Sequence, residues 1–207
     1  MREFKADVLE KYSVHVTQIQ CFRAKKKILG EGDNALIDHY AKVRKYGKEI
    51  LRSNPNSLVK LLVERTIETS PTYFKRMYVC FDAVKRGWLE GCRPVIGLDG
   101  CFLKSYCCGE LLTAVGRDGN NQMFPIAWAV VEVESKDSWS WFIQLLLDDL
   151  GISSEGNGWT VMSDQQKGLV AAVTELLPLA EHRCCARHIY SNFRKVYAGT
   201  QLLLQFT

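Results

Sequence analysis

The sequence predicts an α/β fold: one mixed β-sheet flanked by helices, preceded by an N-terminal helical region. Three observations predict it. From Pro94 onward the runs PVIGLDGCFL, ELLTAVGRDG and MFPIAWAVVEV follow one another through short polar or glycine-containing connections, as strands of an antiparallel meander do. Behind them helical and strand patterns alternate, the order that lays helices on a sheet. Ahead of residue 54, strand signals are missing and apolar residues recur at helical spacing.

Taken in order, residues 1–56 read as helical. Phe4, Val8 and Tyr12 stand four residues apart, and residues 38–51 repeat apolar or aromatic groups among lysines. Between them, TQIQCFRAKKKILGEG offers Thr17 as an N-cap, a helix bearing Arg23, Lys25, Lys26 and Lys27, and glycines to stop it. Helix, short turn and basic helix is the outline of a helix-turn-helix, and equally of any small helical bundle. Those four cations are therefore candidate DNA contacts. SNPNS has the composition of a linker, and residues 57–93 then connect to the main domain. In that stretch LVKLLVERT and TYFKRMYVCF read as strands around Ser70-Pro71, and AVKRGWLEGC as a short helix.

Residues 94–207 form the main domain. After the meander, Trp139, Phe142, Ile143, Leu146 and Leu150 keep the spacing of one helix face, with Asp137 near the start and Gly151 at the end. WTVMSD is a short strand. QQKGLVAAVTELL is a helix with Leu169, Val170, Val173, Leu176 and Leu177 on one side, stopped by Pro178. EHRCCA reads as a strand and RHIYSNFRKVY as a basic helix. The order β-β-β-α-β-α-β-α is that of the ribonuclease-H-like fold.

Composition narrows the function. With 47% hydrophobic residues the chain can bury a sizeable core. It holds no run of about 18 apolar residues and starts with a charged segment, so neither a membrane span nor a secretory leader is expected. In an intracellular chain the eight cysteines are expected reduced. The net charge of +4 conceals an asymmetry: residues 1–90 hold 18 Lys and Arg against 11 Asp and Glu, residues 91–207 hold 9 against 12. A polyanion would be met by the first part.

The site question begins with Asp99, a carboxylate inside the apolar run VIGLDGCFL. Charged side chains are seldom buried unless paired or metal-bound. In the expected sheet the strand carrying Asp99 and the strand ending at Asp164 can lie side by side. Two carboxylates that close repel, and a divalent cation such as Mg²⁺ or Mn²⁺ resolves the conflict. Ordinary roles compete: Asp164 precedes a helix and could cap it, and Asp99 before glycine could end a strand in a turn.

Other features carry less. His182, Cys184, Cys185 and His188 have zinc-ligand chemistry, but a structural site needs four donors and one Cys-x-x-His supplies two, so zinc is not expected in this chain. Trp128, Trp139 and Trp141 are expected to pack. Arg183, Arg187, Arg194 and Lys195 near the last helix suit phosphate contact or a solvated face. Glu132 and Glu134 cannot both face the core in an alternating strand and are assigned no chemistry. Asp118 reads as a turn former.

RPVIGLDGCFLKS, ELLTAVGRDGNNQMFPIAWAVVEVESKDSWSWF, VMSDQQKGL and AEHRCCARHIYSNFRK together resemble the catalytic domain of Mutator-like element (MULE or MuDR-type) transposases of plants, continuously and in order over about residues 73–197. The resemblance implies a DDE-type transposase acting in the nucleus on DNA, at the terminal inverted repeats of an element. It makes Asp99 and Asp164 the first and second catalytic, metal-binding acids, with Mg²⁺ or Mn²⁺ as cofactor. It also matches Cys185-Ala186-Arg187-His188 to the family's Cys-x-x-His motif and leaves room for a homo-oligomer. The family's third acid is a glutamate beyond that motif. Glu175 and Glu181 precede it and the sequence ends at Thr207, so the expectation is an incomplete ribonuclease-H-like domain from a fragment or decayed copy. The alternative is a domesticated, transposase-derived DNA-binding or transcription-regulating protein without catalysis.

Overall fold

A computed structural model describes residues 2–65, 72–104, 108–152 and 154–197, with backbone alone at 2–4, 25–37 and 154. The chain divides into a unit built chiefly from residues 1–46 and a second built from residues 47–103 and from 108 onward.

The first unit is helical. Helix α1 spans Arg2–Tyr12 and ends at Ser13, which takes a left-handed backbone with φ of 52°. Helix α2 spans Gln18–Ser53. Its start carries the Thr17 cap the sequence anticipates, and Gln20 reciprocates: Gln20 N donates to Thr17 Oγ1 at 3.2 Å while Thr17 N donates to Gln20 Oε1 at 2.7 Å. The glycines expected to stop this helix do not. Gly30 and Gly32 lie inside α2, because an interior glycine costs only about 1 kcal/mol relative to alanine, whereas an end there would leave the final carbonyls without partners. The three-helix outline thus becomes two helices. Helix α2 ends where Asn54-Pro55 disfavours a further turn.

The second unit is a seven-stranded mixed sheet. Strands β1 (Leu58–Glu64) and β2 (Tyr73–Cys80) precede helix α3 (Asp82–Gly91). Strands β3 (Val95–Phe102), β4 (Glu110–Arg117) and β5 (Met123–Val131) form the meander. Helix α4 (Lys136–Leu150), β6 (Thr160–Ser163), α5 (Lys167–Leu176), β7 (Glu181–Cys184) and α6 (Ala186–Val196) follow. The strand order is β1-β2-β5-β4-β3-β6-β7. Neighbours from β1 to β3 run antiparallel, and β6 and β7 run parallel to β3. The five strands β5-β4-β3-β6-β7 have the ribonuclease-H-like arrangement, which β2 and β1 extend beyond β5.

Period-two alternation sets the core. On β4, Leu112 and Ala114 are buried with Glu110, and the residues between are half-buried. Trp139, Phe142, Ile143, Leu146 and Leu150 of α4 and Leu169, Ala172 and Val173 of α5 join them in one core, as their helical spacing predicts. Burying each large side chain contributes about 1.5–3 kcal/mol. Ser135 caps α4 reciprocally with Ser138, so Asp137 sits in the first turn without being the cap.

Candidate active site

Parallel pairing of β3 with β6 runs from Val95 opposite Thr160 to Leu98 opposite Ser163. The next step in that register puts Asp99 beside Asp164, on one face of the sheet, where β6 ends alongside the middle of β3. Strand β3 continues against β4, where Asp99 pairs with Thr113, while β6 ends and the chain turns into α5. Asp164 is therefore the first residue released from the ladder. Asp99 is exposed and Asp164 half-buried, so the opening puzzle of a buried charge dissolves: the apolar run stops being buried at Asp99.

Each carboxylate is held by backbone. Gln166 N donates to Asp164 Oδ1 at 2.8 Å, and Gly100 N donates to Asp99 Oδ1 at 3.0 Å. Asp164 does not cap α5; Gln166 does, accepting from Leu169 N at 2.6 Å. Among the described residues the second oxygen of each aspartate accepts no hydrogen bond, and neither carboxylate has a cationic partner.

Two further acids converge here, and sequence reasoning missed both. Glu134 lies past the end of β5, where the chain bends at residues 132–133. Its carboxyl carbon lies 3.1 Å from where a Cβ on Gly100 would stand, so a larger residue there would push the Glu134 carboxylate by a few tenths of an ångström. Trp139 Nε1 donates to Glu134 Oε1 at 3.0 Å, and Gln166 Nε2 donates to the Glu134 carbonyl at 3.1 Å. Burial pushes the Glu134 carboxyl above its ordinary value, and the charges of Asp164, Glu110 and Asp99 push the same way against the Trp139 hydrogen bond. Glu110 is 6% exposed and its Oε2 has no partner among the described residues. No local pattern distinguishes these glutamates from ordinary surface ones; the Gly100 and Trp139 contacts are long-range.

The surroundings brace Asp164. Ser163 Oγ donates to the Asp164 carbonyl at 2.8 Å and sits 2.7 Å from His182 Nε2, which must then be the donor to Ser163. Burial lowers the His182 pKa, favouring the neutral ring. Gly168 sits against the start of α4: a Cβ there would come within 2.6 Å of Lys136 N and 2.8 Å of the Ser135 carbonyl carbon. That contact lets α5 and the Glu134 segment meet.

The remaining candidates fall around this centre or apart from it. Cys185 N donates to Ser163 O at 2.7 Å, so the Cys-x-x-His segment starts beside Asp164. Cys185 and His188 are half-buried, and His188 Nδ1 is buried without a partner among the described residues. Arg187, Arg194 and Lys195 are exposed on α6, while Arg183 is engaged by Glu181. Arg23 is exposed on α2; the side chains of Lys25, Lys26 and Lys27 lie outside the described residues. Asp118 makes its turn, accepting from Asn120 N and Gln122 N. Trp139 is fully buried, and Trp128 and Trp141 are half-buried.

Among the described residues no group of three or more His, Cys, Asp or Glu is close enough to hold a metal ion. Two carboxylates with free oxygens still suit Mg²⁺, which keeps several waters and commonly takes one or two protein carboxylates plus substrate phosphates. No described helix is long and apolar enough to cross a membrane. Residues 95–192, the span that carries all four acids, match the family model described as MULE transposase domain. A comparison with curated proteins gives no match.

Proposed function

We propose that the edge where β6 ends beside β3, within residues 95–192 that match the MULE transposase domain model, is a metal-dependent centre for DNA strand cleavage and transfer of the DDE type. The observation that supports it most is the register of β3 against β6, whose last pair is Leu98 opposite Ser163, so that Asp99 and Asp164 are the next residues of neighbouring strands, neither with a cationic partner among the described residues. Two unpaired like charges cost stability, and a fold retains such a cost most readily where a ligand offsets it.

Asp99 and Asp164 would hold Mg²⁺ or Mn²⁺ through their free oxygens. Bound there, the ion would polarise the phosphoryl oxygen and assist formation of the attacking hydroxide or alkoxide. The chain's own residues orient the acids. Gln166 N and Gly100 N each hold one oxygen, leaving the other for the ion. Ser163, backed by His182, holds the Asp164 carbonyl. Glu134, steadied by Trp139, adds negative potential that draws a cation to this edge. The reading implies DNA as partner and the nucleus as the place of action.

The test is a Mn²⁺ titration followed by electron paramagnetic resonance, beside a cleavage assay on a labelled DNA duplex. Asp99→Asn and Asp164→Asn should each weaken Mn²⁺ binding by more than about tenfold, the scale on which metal sites respond to losing even a supporting residue, with circular dichroism unchanged. Equal Mn²⁺ affinity in both variants would sink the reading. DNA binding without any metal-dependent cleavage would favour a transposase-derived DNA-binding protein instead.

A further inference from the structure

Among the described residues, the hydrogen bonds that tie helix α6 to the candidate centre lie at its start and at Asn192. Cys185 N donates to Ser163 O at 2.7 Å ahead of its first turn, and Asn192 Nδ2 donates to Gln165 Oε1 at 2.9 Å, one residue from Asp164. No residue of α6 is buried. Its sequence, ARHIYSNFRKV, contains no acid. At 3.6 residues per turn, Arg187, Tyr190 and Arg194 fall within an arc of about 60°, roughly 140–160° around the helix from Asn192. The anchored side and this trio are therefore opposite faces.

The trio has a definite chemistry. The Arg194 guanidinium lies 5.9 Å from the centroid of the Tyr190 ring, and Tyr190 is 42% exposed. Two cations flank an aromatic ring, and the nearby acids Asp99, Asp164 and Glu134 would repel a polyanion unless cations at the edge attracted it. Duplex DNA keeps its bases stacked inside, so an exposed ring gains little from it. An unpaired strand offers both phosphates to guanidinium groups and base faces to an aromatic ring.

We propose that the Arg187–Tyr190–Arg194 face of α6 docks an unpaired DNA strand, with Tyr190 stacked on a base and the two arginines on neighbouring phosphates. This rests on the reading of a DNA-processing centre at Asp99 and Asp164, and it names a surface that would hold an unpaired strand next to the domain.

Fluorescence anisotropy with a short fluorescein-labelled oligonucleotide, alone and as a duplex, tests this in EDTA so that no metal contributes. The single strand should bind more tightly than the duplex. Tyr190→Ala should weaken single-strand binding by about 5- to 150-fold, the range for losing one base–aromatic stack, and Tyr190→Phe should restore it. Arg187→Ala and Arg194→Ala should each reduce the slope of log affinity against log salt by about 0.7. Lys60→Ala, an exposed cation of β1 at the opposite edge of the sheet, should change nothing. Unchanged single-strand affinity in Tyr190→Ala would overturn the proposal. So would light scattering that reveals a dimer dissolved by Tyr190→Ala, which would make this face a contact between copies. Because Mn²⁺ binding is read separately, α6 variants that bind DNA normally leave the metal reading intact, and Asp99→Asn with undiminished Mn²⁺ affinity would defeat that reading while leaving this one standing.

Discussion

Glu132 and Glu134 stand two residues apart and belong to opposite electrostatic regions. Glu132 meets Arg76, whose Nε donates to its Oε2 at 2.8 Å; the Arg76 side chain is 3% exposed, also bonds Asp137, and lies over the Trp141 ring. That arginine holds the Glu132 carboxyl below its ordinary value. Glu134, on the far side of the same bend, has an indole N–H and three neighbouring acids, and its carboxyl is held above. A second paired acid, Asp149, takes Lys85 at 2.9 Å. Acids that brace the fold therefore carry a cation each. Asp99, Asp164, Glu134 and Glu110 have none among the described residues, so the two regions hold their acids in opposite electrostatic settings.

The harshest way to break this contrast is to remove the cation from the braced region. Arg76→Ala should destabilise the protein by about 2–3 kcal/mol in urea unfolding, less than a fully buried pair would lose because Glu132 and Asp137 still reach water. A loss below about 0.5 kcal/mol, the range of ordinary surface substitutions, would mean that the network does not brace β2 against α4.

Next comes the joint that holds the unpaired acids together. Gly168→Ala puts a Cβ against backbone at 2.6 Å, which cannot rotate away. It should cost about 1–3 kcal/mol and weaken Mn²⁺ binding as well, since Gln166 holds both Asp164 and the Glu134 carbonyl. Normal stability with normal Mn²⁺ binding would show that α5 can move without disturbing the acids.

The gentlest comparison uses pH. Glu132 has a depressed folded pKa, so its contribution is present above the ordinary value of 4.5 and is lost as pH falls through the folded value. Glu134 has a raised folded pKa, so the folded state binds its proton more tightly. Stability from this group is greatest below 4.5 and falls as pH rises through the window just above it. Comparing metal-free wild type with Glu132→Gln and Glu134→Gln by urea unfolding across pH 3.5–7 should give difference curves of opposite slope, each under about 1 kcal/mol because both groups are partly solvated. Parallel curves would erase the distinction.

Much of the fold was legible in the sequence because its signals are local. The helical spacing of Trp139, Phe142, Ile143 and Leu146, the alternation of β4 and the Thr17–Gln20 cap each depend on residues a few positions apart, and the structure has all three. Half of the candidate site was legible on the same terms: Asp99 interrupts an apolar strand pattern and Asp164 follows one. Glu110 and Glu134 were not, since nothing within a few residues separates Glu134 from Glu132.

Sequence alone therefore determined the order of elements from residue 58 onward and singled out Asp99 and Asp164 as candidates, for periodicity and turn chemistry act over one or two turns of chain. Tertiary structure decided which acids are neutralised, through Arg76 meeting Glu132 across 56 residues, and which are left facing one another, through Gly100 admitting Glu134 beside β3. It also carried α2 through its glycines and made Gln166 the cap in place of Asp164. Coulomb and steric terms depend on distance in space, and only the folded sheet sets those distances.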